Sequence, residues 1–255
     1  MRLDERLRRR RQLAAALRVF AGAGFSEGIA GHATARDPVE PDTFWVNPAL
    51  QHFSEVTVGS LLRVDQRGEV VEGQGRVNPA AVALHLAIHR ARPDAVAAVH
   101  MHSVYGRALA GTDQILEPLN QDACAFYGDH SIYDDYQGVV LDQDEAARIA
   151  AALGPAKAMI LRNHGLLTVG GSVASAAWWF LSMERCCQVQ LAIAATGGGR
   201  PIPHRVAQQT HAQVGTEKVG ALSFVPIYAR IVGAQPSLLD ETPVATAWSA
   251  REAYR

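Results

Sequence analysis

Length, composition and charge already exclude several classes of protein. The 255 residues are 48% apolar and 19% charged, with a formal net charge of -1. This composition excludes a disordered chain and gives no electrostatic reason to bind nucleic acid or anionic lipid. No apolar run approaches the roughly 20 residues that a membrane-spanning helix needs. The three cysteines, Cys124, Cys186 and Cys187, are odd in number and two are adjacent, so we expect no disulfides and a cytoplasmic location.

The first half of the chain is predicted to contain two helices separated by short strands. Apolar residues at helical spacing predict a first helix over residues 4–21. Asn78 and Pro79 are a helix-start pair, an N-cap followed by proline at the first helical position, and they predict a second helix that runs to about Ala91. Strands are expected between these helices, over residues 43–47, 61–65 and 69–72.

The second half is predicted to contain strands and three further helical stretches. Asp142 and Glu145 form a capping box for one helix, and Ser172 caps a longer one. Residues 201–233 are expected to be helical with a break at Pro226. Apolar runs predict strands over residues 95–100, 139–141, 158–162 and 166–169.

No interdomain linker separates these elements, so we expect one layered α/β domain over residues 1–235. Residues 236–255 carry a weak pattern and are interpreted as a C-terminal arm or tail.

Histidines give the clearest functional signal in the sequence. His100 and His102 flank Met101 at the end of an apolar strand, and side chains two apart on a strand point to the same face. His164 lies in a turn between two other apolar strands. Three imidazoles at strand ends predict a site for one divalent metal ion. His85 and His89 also have ligand spacing, one helical turn apart, and we interpret them as surface or core-edge residues that support the site.

The segments around these histidines resemble the class II aldolase/adducin family. The stretches that carry the resemblance are Ala91-Arg92-Pro93-Asp94, Val99-His100-Met101-His102-Ser103 and Arg162-Asn163-His164-Gly165, within a match over residues 13–233. The resemblance implies a three-layer α/β/α fold around a central, mostly antiparallel sheet. It also implies a homotetramer with active sites at subunit interfaces, and His100, His102 and His164 as metal ligands.

Departures from the family pattern point away from a sugar phosphate. Family aldolases have Pro-Ser-Ser-Glu before the His-x-His, where this chain has Pro79-Ala80-Ala81-Val82, and valine cannot transfer a proton. Phosphate-binding groups are also replaced in two loops, at Gly31-His32 and at Asn47-Pro48-Ala49-Leu50. We therefore predict a less polar pocket for an aromatic or hydrophobic molecule. The predicted substrate-binding residues are His32, Asn47, Val82 and, reaching a neighbouring subunit's site, Tyr228.

Three neutral imidazoles leave a metal with its full charge and open positions, which suits a 2-keto or 2-hydroxy acid. We expect Zn²⁺ or Fe²⁺, with Mn²⁺ or Co²⁺ as alternatives. Such an ion accepts electrons as an adjacent C–C bond breaks, which predicts a lyase of the aldolase or decarboxylase type. The predicted groups for proton transfer are Asp122, His130 and Tyr127, with a metal-bound water as the alternative.

Two other functions fit the same residues. With Fe²⁺, three histidines also suit oxygen activation, and the chain resembles the family branch of prenyl-hydroxybenzoate-forming oxygenases, which oxidatively decarboxylate an aryl 2-keto acid. Adducin itself is a non-catalytic member of the family, so a non-catalytic interaction module is a third hypothesis. We favour an enzyme, because a scaffold does not need three imidazoles. We place the lyase before the oxygenase, because C–C cleavage covers more of the family that the chain resembles and does not require iron.

Overall fold

Residues 1–244, which the computed structural model describes, contain eight strands and seven α-helices. The helices are α1 (Arg2–Gly22), α2 (Pro79–Ala91), α3 (Val104–Ala110), α4 (Gln143–Leu153), α5 (Val173–Ala194), α6 (His204–Val214) and α7 (Glu217–Ala234). The strands are β1 (His32–Arg36), β2 (Phe44–Val46), β3 (Leu62–Val64), β4 (Val70–Glu72), β5 (Ala97–Met101), β6 (His130–Tyr133), β7 (Ala158–Leu161) and β8 (Gly165–Gly170).

All eight strands form one sheet in the order β4-β3-β2-β1-β5-β8-β7-β6. Every neighbouring pair is antiparallel except β6 and β7, which are parallel. The register aligns His32 with His100 across β1 and β5, and Met101 with Leu166 across β5 and β8. As a result the start of β1, the end of β5 and the start of β8 meet at one end of the sheet.

Helices cover both faces of the sheet, which confirms the predicted three-layer α/β/α fold. Alternate residues of β5 divide between two cores: Ala97, Val99 and Met101 pack with α1 and α5, and Ala98 packs with α2 and α4. A strand separates its side chains in this way because successive residues point to opposite faces. His100 shares its face with Ala98, so its ring lies on the α2 side of the sheet.

Local signals predicted several helix boundaries correctly. Asn78 caps α2 by accepting a hydrogen bond from the Ala80 amide, and Pro79 is the first helical residue. Ser172 and Ser175 form a capping box at the start of α5. Such caps satisfy amide groups that the first helical turn leaves without partners, so their sequence signature is local.

Two predictions of secondary structure were wrong. Residues 139–141 form no strand, and Val139 and Leu141 are 69% and 62% exposed; the strand in this part of the chain is instead β6. Helix α7 continues through Pro226, and the break in the helical stretch lies at Gly215, after which Thr216 caps α7. Proline removes one helical hydrogen bond, and here the packing of α7 against α5 keeps the helix continuous.

The end of the described chain returns to the first helix. Pro236–Leu239 form a short 3-10 helix against α1, and Leu238 is fully buried there. Arg11 pairs with Glu241 at 3.0 Å, and the Gly59 amide donates to the Asp240 carbonyl oxygen. These contacts belong to the predicted arm, whose last eleven residues, 245–255, lie outside the described residues. None of the described helices has the length and apolar character that crossing a bilayer requires.

Candidate metal centre

Three histidine rings meet at the end of the sheet where β5 ends and β7 turns into β8. The ring centroids of His100 and His102 are 5.1 Å apart, and His164 lies 4.7 Å and 4.8 Å from them. One ring nitrogen from each of the three lies within 4.8 Å of the other two. A metal–nitrogen bond of about 2.0–2.1 Å places ligand nitrogens roughly 3–4 Å apart, so small side-chain rotations would close these rings on one ion.

The backbone at Gly165 allows this close approach. A Cβ atom at this position would lie 2.8 Å from the Met101 carbonyl oxygen and 3.6 Å from His100 Cε1. The preceding turn carries Asn163 at a φ of 56°, a left-handed conformation that asparagine tolerates better than most residues. The Asn163-His164-Gly165 sequence therefore turns the chain tightly enough to bring His164 beside β5.

Hydrogen bonding orients the His100 ring and leaves its other nitrogen open. His100 Nδ1 lies 2.9 Å from the Leu166 carbonyl oxygen, which can only accept, so Nδ1 carries the proton and Nε2 carries a lone pair. A backbone carbonyl is a common orienting partner for a metal-bound histidine. Within the described residues, the rings of His102 and His164 have no hydrogen-bond partner, so their nitrogens are also available.

Burial keeps the triad neutral near pH 7. Desolvation lowers the pKa of His164 to about 4, with a further contribution from His102. Desolvation also lowers the pKa of His100 and of His102. A metal ligand must be a neutral imidazole, so the donor set fits a divalent ion without prior loss of protons at this pH.

A line of buried polar side chains lies beside the triad, between β1 and α2. His32 Nδ1 is 2.7 Å from His85 Nε2, and the Thr34 hydroxyl oxygen is 2.6 Å from His85 Nδ1 and 2.9 Å from His89 Nε2. Arg36 lies at the far end, 3.5 Å from His89 Nδ1. The interpretation of His85 and His89 as surface or core-edge residues is therefore wrong, because they are 0% and 2% exposed.

The rim of the triad has a charged part and an aromatic part. Arg107 of α3 pairs with Glu27 at 2.9 Å. Beside the larger effect of desolvation, the charge of Arg107 lowers the pKa of His102 and that of Glu27 raises it. Tyr136 stands 6.1 Å from His164 between ring centroids and is 49% exposed. Beneath the rim, buried Glu184 of α5 accepts hydrogen bonds from the Ser103 hydroxyl and from two amides at the start of α3, which fixes the segment after His102.

The four predicted substrate-binding residues occupy different places. His32 lies against the triad, with its ring centroid 4.9 Å from that of His100. Asn47 lies one strand away, where its side-chain oxygen accepts from the Ala33 amide. Val82 packs against an apolar cluster at the β2–β3 side of the sheet and lines a groove of about 780 Å³ between α2 and α4. Tyr228 packs against the main core from α7.

The placement of Val82 corrects the expectation about the start of α2. Ala81 lies four residues before His85, so the two share a helix face, and Ala81 is fully buried at 1% exposed. The position that faces the polar line beside the triad is therefore Ala81 and not Val82. The lining of the α2–α4 groove includes none of the triad histidines.

The three predicted proton-transfer residues lie at the opposite end of the sheet within this chain. Because β6 and β7 are parallel, His130 pairs with Ala158 at the start of β7, whereas His164 follows the end of β7. The His130 ring bonds to the Phe126 carbonyl oxygen, and Tyr127 bonds to His204 on α6 at 2.7 Å. Asp122 is exposed beside the short helix that precedes β6. The chain does not bring these three residues to the triad.

Sequence reasoning missed the Thr34–His85–His89 line and Tyr136. A usable signal was present for the first of these. His32, Thr34 and Arg36 alternate along a strand, and His85 and His89 lie one turn apart on a helix. Two polar faces with these periods match each other when the strand and helix pack.

Comparison with known proteins finds a matching family and similar proteins that cover most of the chain. The family model described as Class II Aldolase and Adducin N-terminal domain matches residues 11–191. A Streptomyces roseochromogenus subsp. oscitans protein named 4-hydroxy-3-prenylphenylpyruvate oxygenase/4-hydroxy-3-prenylbenzoate synthase is 47% identical, over 90% of this chain and 84% of that protein. Decarboxylase NovR from Streptomyces niveus is 46% identical, over 90% of this chain and 86% of its own length.

A solved structure gives the same assignment. The L-fuculose 1-phosphate aldolase from Glaciozyma antarctica superposes with a TM-score of 0.88 at 39% sequence identity, covering 94% of this chain and 95% of that chain. Sequence and fold therefore agree over nearly the whole length. This chain belongs to the class II aldolase/adducin family.

Proposed function

We propose that this protein is a metal-dependent lyase that cleaves a C–C bond in a non-phosphorylated 2-keto or 2-hydroxy acid. The observation that carries the proposal is the convergence of three neutral imidazoles, His100, His102 and His164, with no carboxylate in the ligand group that the described residues form. A divalent ion held by neutral ligands keeps its full charge, which favours a bidentate anionic substrate. When bound, the ion would supply Lewis acidity that draws electrons from the carbonyl group next to the cleaved bond.

The side chains around the triad supply positioning and an apolar rim. His32 offers a polar ring beside His100, and Tyr136 offers an aromatic face beside His164. Val104 and Tyr105, two and three residues after His102, are 55% and 37% exposed. Apolar surface next to a small number of polar groups is typical of a pocket for an aromatic or hydrophobic ligand.

The start of α2 supports a substrate without a phosphate group. Ala80 and Ala81 have no hydroxyl group to donate to a phosphate. Amide N–H groups at the start of a helix can bind an anion. The Ala80 amide does not have this role here, because it donates to the Asn78 side-chain oxygen at 3.0 Å. The Glaciozyma relative is named an L-fuculose 1-phosphate aldolase. This sugar phosphate is therefore the substrate against which non-phosphorylated acids should be compared.

Oxidative decarboxylation is the second candidate function, and the name of the Streptomyces roseochromogenus relative favours it. Three histidines with open positions also suit Fe²⁺ and oxygen. The two functions differ in what they consume, because the lyase is redox-neutral and works without oxygen, whereas the oxygenase needs Fe²⁺ and takes up O₂.

The test is metal analysis followed by an assay under controlled oxygen. Protein purified anaerobically without added metal is analysed for zinc and iron, then loaded with each metal and assayed with phenylpyruvate, phenyllactate and L-fuculose 1-phosphate. The proposal expects anaerobic turnover of one of the aryl acids and little of the sugar phosphate. Turnover only with Fe²⁺ and O₂ would select the oxygenase. Activity that survives His164→Ala as well as the exposed control His52→Ala would refute a metal centre at the triad.

A further inference from the structure

The polar line between β1 and α2 is continuous from the sheet interior to the triad. It consists of Arg36, His89, Thr34, His85 and His32 in this order. Polar atoms of consecutive members lie 2.6 to 3.5 Å apart. The line uses every second residue of β1 and residues one turn apart on α2. It is therefore built into the packing of one strand against one helix, and no loop takes part.

All the uncharged members of the line are buried and neutral. Thr34 and His85 are 0% exposed, and His89 and His32 are 2% and 5% exposed. Desolvation lowers the pKa of His89 to about 3 and the pKa of His85 well below the usual value. Each ring thus carries one N–H donor and one lone pair near pH 7, and the threonine hydroxyl has one proton.

This donor count links the tautomers of the three rings. If His89 Nε2 donates to Thr34, the hydroxyl donates onward to His85 Nδ1, and His85 Nε2 then donates to His32 Nδ1. When the single hydroxyl proton is used within the line, only two directions exist, and reversing one bond reverses all of them. The tautomer of His32, next to the triad, is therefore set by the tautomer of His89, at the other end of the line.

Arg36 favours one of the two directions. Arg36 donates to the His89 carbonyl oxygen at 2.5 Å, and the same guanidinium nitrogen lies 3.5 Å from His89 Nδ1. Because a guanidinium group is positively charged and can only donate, its proximity favours a lone pair at Nδ1 and a proton on Nε2. The Ala95 carbonyl oxygen opposes this choice, because it also interacts with the His89 ring and accepts a proton from it in the reverse direction. The arginine contact is long at 3.5 Å, but its positive charge acts on the lone pair in a buried site.

With this direction, the last proton of the line is on His32 Nε2. His32 Nδ1 is bonded to His85, so Nε2 lies on the other side of the ring, and the ring itself stands against His100. Among the described residues, Nε2 has no hydrogen-bond partner. His32 is also absent from the group whose nitrogens lie within 4.8 Å of one another, so it stands beside the metal position and not in it.

We infer that Thr34, His85 and His89 are positioning residues that hold His32 as the Nε2–H tautomer, so that His32 donates a hydrogen bond to an oxygen of the acid bound at the triad. The hydrogen bond from His32 to the bound acid rests on the proposed function, whereas the tautomer of His32 does not. A buried polar network with a purely structural role would stabilise the fold equally well with either direction. The direction of the line is what distinguishes the two roles.

Thr34→Val breaks the line with little change in side-chain volume, and Thr34→Ser keeps the hydroxyl as its matched control. The first measurement is the ¹⁵N NMR spectrum of histidine-labelled, metal-free protein near pH 7, in which protonated and unprotonated ring nitrogens resonate far apart. The His32 signals are identified by their loss in His32→Asn. We expect wild type and Thr34→Ser to show a protonated Nε2 and a bare Nδ1 at His32. In Thr34→Val we expect averaging between the two tautomers.

The second measurement is the affinity of the zinc-loaded proteins for phenylpyruvate by calorimetry. We expect Thr34→Val to bind it about tenfold more weakly than wild type, the equivalent of one hydrogen bond to a charged group, and Thr34→Ser to bind nearly as wild type. A bare Nε2 at His32 in wild type, or identical His32 spectra in both variants, would overturn the inference. If wild type fails to bind zinc, the proposed function fails while the NMR result still decides the tautomer. If Thr34→Val is too unstable to measure, His89→Gln carries the same spectral test from the far end of the line.

Discussion

The structure contains two groups of three histidines that differ in their partners more than in their burial. In His32, His85 and His89 at least one ring nitrogen is engaged by a neighbour within the line. In the triad, only His100 has a hydrogen-bond partner among residues 1–244, the Leu166 carbonyl oxygen, and this bond leaves its second nitrogen open. Burial lowers the pKa in both groups. A lowered pKa therefore does not identify a metal-binding histidine; open nitrogens that face a common point do.

The largest difference between the groups should appear when one member of the triad is removed. We expect His164→Ala to weaken zinc binding by more than about 100-fold, beyond the effect usual for an outer partner of a metal ligand. The free energy of unfolding of the metal-free protein should change little, because His164 loses no hydrogen bond to a described residue. Zinc titration with a competing chelator and urea unfolding measure the two quantities. His52→Ala, at an exposed histidine, is the control.

The opposite result is expected in the buried line. His85→Ala removes two hydrogen bonds and leaves a cavity, which should lower the free energy of unfolding by about 3 kcal/mol. The stoichiometry of zinc should remain that of wild type, because His85 is not in the ligand group. If His85→Ala lost zinc but kept the free energy of unfolding of wild type, the roles that we assign to the two histidine groups would be reversed.

A substitution at the turn beside the triad should affect metal binding through geometry alone. In Gly165→Ala the new methyl group would lie 2.8 Å from the Met101 carbonyl oxygen, which forces the start of β8 away from β5. We expect a loss of about 1–3 kcal/mol in stability and weaker zinc binding. Gly22→Ala is the matched control, since a Cβ there meets nothing within 4 Å. Equal zinc affinity in both variants would show that the close approach is not needed.

The smallest effect should be visible in the pH dependence of stability. The pKa of His89 is about 3 in the folded protein, against 6.5 for an unperturbed histidine. The unfolded chain therefore binds more protons between these values, and stability present above pH 6.5 is lost as the pH falls. Each such histidine contributes up to about 1.4 kcal/mol per pH unit. In metal-free His89→Asn, the decline measured by urea unfolding between pH 6.5 and 5 should be shallower by about this amount; parallel curves would contradict it.

The sequence predicted the parts of this site that depend on local signals. His100 and His102 are brought to one site by strand periodicity, and the Asn163–Gly165 turn follows from its residue types. The placement of Val82 could not be predicted in the same way, because the orientation of α2 depends on which strands it covers. The polar periods of β1 and α2 signal the burial of His85 and His89 only once the two elements are known to pack together. The position of His130 could not be predicted because it depends on the topology of the sheet. Only the parallel pairing of β6 with β7 decides which end of the sheet it occupies.

The return of the chain to its first helix affects how the protein can be shortened. Leu238 is fully buried, and Glu241 pairs with Arg11 of α1. A recombinant chain cut after residue 235 would remove both contacts and expose apolar surface on the first helix. Burial of a leucine side chain contributes about 1.5–3 kcal/mol, so such a truncation is expected to express poorly. Removing only residues 245–255 retains both contacts.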